Sequence, residues 1–165
     1  MAQTGVRPRK GVKTDRESTI TILTTLKNFY DEEIFGLFIK EFYNVDQEVS
    51  LAAIKASASI GNEAAITHLY KIIETGSEVQ RIEAVRALAE IKAPSSVERL
   101  IKYFNLFEVQ ALKEELLSAL NHIAPFSEAV QELDKAILVS PAATDDLLRH
   151  AVLGLLSAKN LTSIR

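Results

Sequence analysis

The sequence predicts an all-α chain, a solenoid of about nine antiparallel helices, on the strength of its composition and of an apolar stripe that returns about every 31 residues. Hydrophobic residues make up 47% of the 165, enough for a continuous core and too many for a disordered chain. Only 6 Gly and 4 Pro interrupt it, while Ala, Leu, Ile, Glu and Lys dominate, a composition that suits helices and not turn-rich sheets. The absence of Cys excludes a disulfide framework, a thiolate nucleophile and Cys-ligated zinc or iron–sulfur sites. No leader-like apolar region opens the chain, and no run approaches the roughly 20 apolar residues that cross a bilayer. The expectation is a cytoplasmic protein without a membrane span.

Two stretches are expected, a disordered basic tail over 1–16 and a single repeat domain over 17–165. The tail carries Arg7, Arg9, Lys10, Lys13 and Arg16 against one acid, Asp15, which makes it about +4 and the remainder about −7. With Gly5, Pro8 and Gly11 and few large apolar residues it has nothing with which to build a core. It reads as a solvated linker, or as a basic arm for an anionic partner.

Within the domain four octets correspond: Phe35–Phe42, Ile66–Ile73, Val97–Phe104 and Val130–Ile137, at offsets of 31, 31 and 33. Each has apolar residues at its first, fourth and eighth places, which form one stripe on a helix. A second register lies between them, in which Phe29, Ile60, Ile91 and Ile123 correspond, as do Ile22, Ala53, Ala84 and Leu116, and Thr25, Ala56, Ala87 and Ala119. The small residues there let neighbouring helix axes approach toward the lower end of the roughly 8–10 Å packing range. The elements that follow are 17–29, 31–43, 47–60, 63–75, 78–91, 95–106, 109–123, 127–139 and 144–158. Asp31, Asn62, Ser95 and Ser127 stand where N-caps belong, and Gly61 and Gly76 where helices end. Short loops force consecutive helices antiparallel. A two-helix unit of this length cannot bury its stripe alone, so each unit must stack on the next.

Glu48-Val-Ser-Leu-Ala-Ala-Ile-Lys-Ala-Ser-Ala-Ser-Ile-Gly61 and Val79-Gln-Arg-Ile-Glu-Ala-Val-Arg-Ala-Leu-Ala-Glu-Ile-Lys92 resemble the E-V-R-x-x-A-x-x-A-L-x-x-I-G helix of the HEAT-repeat family. The likeness is to its short-repeat branch of bacterial and phycobilin-lyase-like proteins, and it covers roughly residues 17–159. Arg81 and Lys113 match the family's basic position, whereas Thr19 and Ser50 depart from it. The resemblance implies a right-handed α-α superhelix in which 17–29 is a leading helix and four outer-then-inner pairs follow, the inner helices lining the concave side.

On those inner helices Lys55, Arg86 and Ser118 share a position opposite the core, flanked by Leu51, Ile82, Glu90 and His122. An extended face that mixes charged and apolar groups suits a protein partner better than a nucleic-acid backbone. Lys40, Lys71, Lys102 and Lys135 form a column, one per octet, roughly 140° round the helix from its first core position. They either solubilise the outer face or offer a basic stripe to an anionic partner.

His68, His122 and His150 stand on separate repeats, with no i, i+4 pair to place two imidazoles on one metal. HEAT-type deoxyhypusine hydroxylases hold iron with His-Glu pairs, whereas here each His is followed by Leu, Ile or Ala. There is no Gly-rich phosphate loop and no nucleophile elbow, so neither a cofactor nor catalysis is expected. The function expected is that of a non-catalytic scaffold or adaptor holding a protein along the inner helices. Alternatives are a nucleic-acid-binding protein that uses the basic arm and lysine column, and a bilin-lyase-like subunit implied by the resemblance alone. Leu155, Leu156, Leu161 and Ile164 leave apolar surface at the end of the array, which either further repeats of a longer protein or end-to-end self-association would cover.

Overall fold

The computed structural model describes residues 15–29, 32–60 and 63–162. Among these residues there are nine helices and no strand: α1 (Asp15–Leu26), α2 (Glu32–Phe42), α3 (Gln47–Ser57), α4 (Glu63–Thr75), α5 (Glu78–Ile91), α6 (Val97–Leu106), α7 (Gln110–Ile123), α8 (Glu128–Leu138) and α9 (Asp145–Thr162). A 3-10 turn, Pro94–Ser96, leads into α6.

The helices pair as the repeat demands, α2 with α3, α4 with α5, α6 with α7 and α8 with α9. Each odd-numbered helix also packs on the next odd one, from α1 through to α9, whereas the even-numbered helices keep further apart. The reason lies in side-chain size. Ala53, Ala56, Ala84, Ala87 and Ala119 are all buried on the odd row and let those backbones close up. A stack that is tight on one row and splayed on the other bends toward the tight one, which makes the odd row the concave side. The inner helices implied by the family resemblance are these.

The octet stripe is the core of the even row. Phe38, Phe42, Leu69, Ile73, Leu100 and Val130 are fully covered, and Phe35, Ile66, Phe104 and Ile137 nearly so, while Val97 and Leu133 are half-buried. In the fourth octet only the middle of the stripe shifts by one residue, since Val130 and Ile137 keep their places and Leu133 is half-buried. Asp134, 1% exposed, occupies the fifth place, where the other octets carry Ile39, Tyr70 and Ile101. Its Oδ1 accepts from Asn121 Nδ2 of α7 at 3.1 Å, and the same amide group donates to the His150 carbonyl of α9 at 3.3 Å. Burial pushes the Asp134 carboxyl up to about 6, and the Asn121 hydrogen bond opposes that shift only in part.

Helix ends follow local chemistry. Asp46 accepts from the Glu48 N–H and starts α3, and Ser77 with Gln80 forms a capping box on α5. α4 stops at Thr75, where the Gly76 N–H closes on the Ile72 carbonyl at 2.7 Å. α5 stops at Lys92, which takes the left-handed conformation, φ 55°, at the place where the family helix carries Gly.

Several expected boundaries move. α1 begins at Asp15, so the last two residues of the expected tail are helical, and Arg16 pairs across to Glu48 at 3.4 Å and Asp46 at 3.9 Å. It also ends early, at Leu26. Thr19, Thr21, Thr24 and Thr25 each turn the hydroxyl onto the carbonyl four residues back, a bond that competes with helix propagation. α3 gives way after Ser57 to tighter turns through Ile60, and α9 runs on to Thr162. Ser95 lies in the 3-10 turn, not at the helix cap, while Ser127 holds the cap position of α8 without a side-chain bond. Asp31, Gly61, Asn62 and residues 1–14 of the tail lie outside the described residues.

Candidate functional site

The concave face is built from the sides of α1, α3, α5, α7 and α9 that point away from the even row. Among the described residues it carries shallow clefts. Between α1 and α3, Thr24, Lys27, Ala52 and Lys55 line one of about 270 Å³. Between α5 and α7 a second, about 220 Å³, is lined by Ile82, Arg86, Glu114, Glu115 and Ser118, with His150 reaching in from α9. A third, about 320 Å³, continues along the same two helices past Glu90 and His122.

The structure therefore brings Ile82, Arg86, Glu90, Ser118 and His122 onto one continuous surface, as their shared register implies. Lys55 stands apart, exposed in the α1–α3 cleft and without an ion pair among the described residues. Leu51 lines none of these clefts and is half-buried.

Arg86 is not a free cation. Its Nη2 and Nε both reach Glu115 Oε2, at 2.9 and 3.0 Å, and its Nη1 lies 3.7 Å from Glu83. The Glu115 hydrogen bond, aided by the charges of Glu115 and Glu83, raises the guanidinium pKa further. Around one arginine the two joined clefts thus gather Glu90, Glu114 and Glu115, with Glu83 beside the guanidinium, an excess of negative charge. Sequence reasoning placed Arg86 but missed its clamp. The signal was an opposite charge about one repeat further on, Glu115, together with one a helical turn earlier, Glu83.

The family's basic position does work of another kind. Arg81 lies 4.9 Å over the Phe107 ring and donates to the Glu74 carbonyl at 3.3 Å, so that it caps the end of α4. Lys113 repeats the stacking over Phe104 at 5.6 Å and pairs with Glu108. At the departing position Ser50 is fully buried. Its hydroxyl donates to the Phe42 carbonyl at 2.7 Å and accepts from Gln80 at 2.8 Å, which joins α2, α3 and α5.

The lysine column reaches solvent at all four positions, yet it is not a uniform basic stripe. Lys102 is held by Glu98 at 2.7 Å and Lys135 by Glu132 at 2.6 Å. Lys71 lies 5.3 Å over the Tyr43 ring. Only Lys40 keeps its charge without such a neighbour among the described residues. Between the even helices a compact cluster takes over: Glu74 accepts from Tyr103 at 2.6 Å and from Arg99 at 3.3 Å, and Arg99 sits 4.4 Å over Tyr70, whose hydroxyl donates to Ser96. Polar and ring contacts do there what direct backbone packing does on the odd row.

The histidines stay apart. His68 packs edge-on to Phe42 and Tyr43, and burial, with Lys71 beside it, lowers its pKa. His122 and His150 line different parts of the joined α5–α7 clefts. Among the described residues no three His, Asp or Glu side chains gather closely enough to hold a metal ion, and no helix is long and apolar enough to cross a membrane.

A search of curated proteins finds no match to the chain. Residues 80–105, which run from the first turn of α5 through nearly all of α6, match the family model of the PBS lyase HEAT-like repeat, and that unit lies at the centre of the α-α solenoid described above.

Proposed function

We propose that the chain is a non-catalytic scaffold that holds a protein partner along the concave face. The observation that carries this reading is the continuous surface of α5 and α7, on which Ile82, Ser118 and His122 alternate with the Arg86 clamp and an excess of glutamate. Shallow clefts that mix apolar and charged groups over successive repeats suit an extended peptide or a partner's helix better than a small molecule. The acidic excess disfavours a phosphate backbone on this face, and the neutralised lysines weaken the convex face as an alternative.

Capture from lysate on the immobilised chain, repeated with Lys55→Glu, Arg86→Glu and Ile82→Asp on the concave side and Lys40→Glu with Lys71→Glu on the convex side, tests it. A bound protein lost with the concave variants and kept with the convex pair is expected. Capture that responds only to the convex pair, or to neither set, removes the proposed face.

A second reading is favoured by the family match alone, a subunit of a bilin-lyase-type enzyme. Incubation with a bilin and an apo-phycobiliprotein discriminates it, since covalent attachment of the pigment belongs only to that reading.

A further inference from the structure

α9 has two opposite faces of different kinds. Leu147, Ala151, Gly154 and Ala158 are buried against α7 and α8. Half a turn away, Arg149, Val152, Leu153 and Leu156 form an i, i+3, i+4, i+7 stripe in solvent, with Val152 43%, Leu153 53% and Leu156 49% exposed. Leu155, expected on this surface, is half-buried. In the interior of the array each odd helix has an odd neighbour on both sides. α7, for example, is covered by α5 on one side and α9 on the other.

The opposite end of the row is finished differently. The exposed hydroxyls of Thr21, Thr24 and Thr25 on α1 are bound to their own helix's carbonyls, and Ile22 stands among them as a single exposed aliphatic. Among the described residues of α1 no stripe like that of α9 is exposed, and Phe29, bare just past the helix, is the next large apolar side chain there.

We infer that the occupant of the α9 stripe is the same stripe on a second copy of this chain, the two α9 helices lying antiparallel about a twofold axis near Val152 and Leu153. The charges favour this pairing. α9 begins with Asp145 and Asp146 and carries Lys159 near its other end, all exposed. With the axis between residues 152 and 153, the acidic first turn of each copy lies opposite Lys159 of the other, and Arg149 lies opposite Leu156. Antiparallel helices also set each positive dipole end beside a negative one. A parallel pairing would oppose acid to acid and lysine to lysine. An isologous contact of this kind closes at two copies, whereas stacking α9 on α1 of the next chain would grow without limit.

Sedimentation of the full chain from low to high micromolar concentration is expected to show a reversible monomer–dimer equilibrium. Leu153→Glu is expected to weaken it by about 100-fold or more, because one buried leucine is lost on each side of the axis. Lys159→Glu weakens the dimer, and Asp145→Lys added to it restores association. The lack of native cysteine permits a second readout: oxidation of Val152→Cys traps a covalent dimer, whereas Thr21→Cys at the other end does not. A wild-type chain that stays monomeric, polymers of open-ended size, or a dimer that survives Leu153→Glu and cross-links through Thr21→Cys overturns the inference.

Discussion

Asp134→Asn should stabilise this protein at neutral pH, and only there. Asp134 Oδ2 and Asn121 Oδ1 are both buried acceptors with no hydrogen-bond partner among the described residues, beside the one bond that joins the two side chains. Burial disfavours the carboxylate, so the folded state holds a proton there up to about pH 6 against an ordinary value of 3.8, the Asn121 hydrogen bond opposing the shift only in part. The sign follows from proton binding. Between those two values the native state binds more protons than the unfolded chain, so stability is fully present below about 3.8 and is lost as pH rises through about 6. Roughly two pKa units correspond to about 3 kcal/mol, an upper figure for what the buried carboxylate costs at pH 7. An amide at this place is neutral at every pH and can donate to the Asn121 oxygen. Urea unfolding of both proteins from pH 3.5 to 8 isolates the effect, since all other titrations cancel in the difference. The variant's advantage should be near zero at the acid end and grow above pH 6 to at most about 3 kcal/mol, which would be roughly 6–12 °C in melting temperature. A difference that is flat with pH, or a variant less stable at pH 7, would refute the protonated pair.

Two further substitutions probe the backbone and the packing. Lys92→Gly removes a side chain from the left-handed position that ends α5, φ 55°, and should raise stability by about 1 kcal/mol in thermal melts; an unchanged or lower midpoint would show that the lysine is not strained there. Gly154→Ala sets a methyl group against the Asn121 side chain, which Asp134 and the His150 carbonyl hold in place, and should cost about 1–3 kcal/mol in urea unfolding despite alanine's better helix propensity. A more stable alanine variant would mean that Asn121 can give way.

Much of this architecture is legible in the residues. Phe38, Leu69 and Leu100 return in phase and are covered as their spacing demands, and Ala53, Ala84 and Ala87 mark the row where helices close up. The helix over 78–91 is bounded as its capping chemistry implies, whereas α1 was harder, because four threonine hydroxyls compete for its backbone. Asp134 was visible as an acid at the fifth place of the fourth octet, where the other three carry apolar or aromatic residues. Position alone could not say whether it turned outward.

Periodicity by itself determined that the chain is helical, that its helices pair and that each pair needs the next, since amphipathic spacing depends only on the order of residues. Whether Arg86 is free or clamped by Glu115, how the convex lysines are neutralised, and that α9 leaves Val152, Leu153 and Leu156 bare were decided only in the tertiary structure. Those outcomes depend on which side chains meet across separate helices, and charge pairing and burial are set by that distance in space and not by separation along the chain.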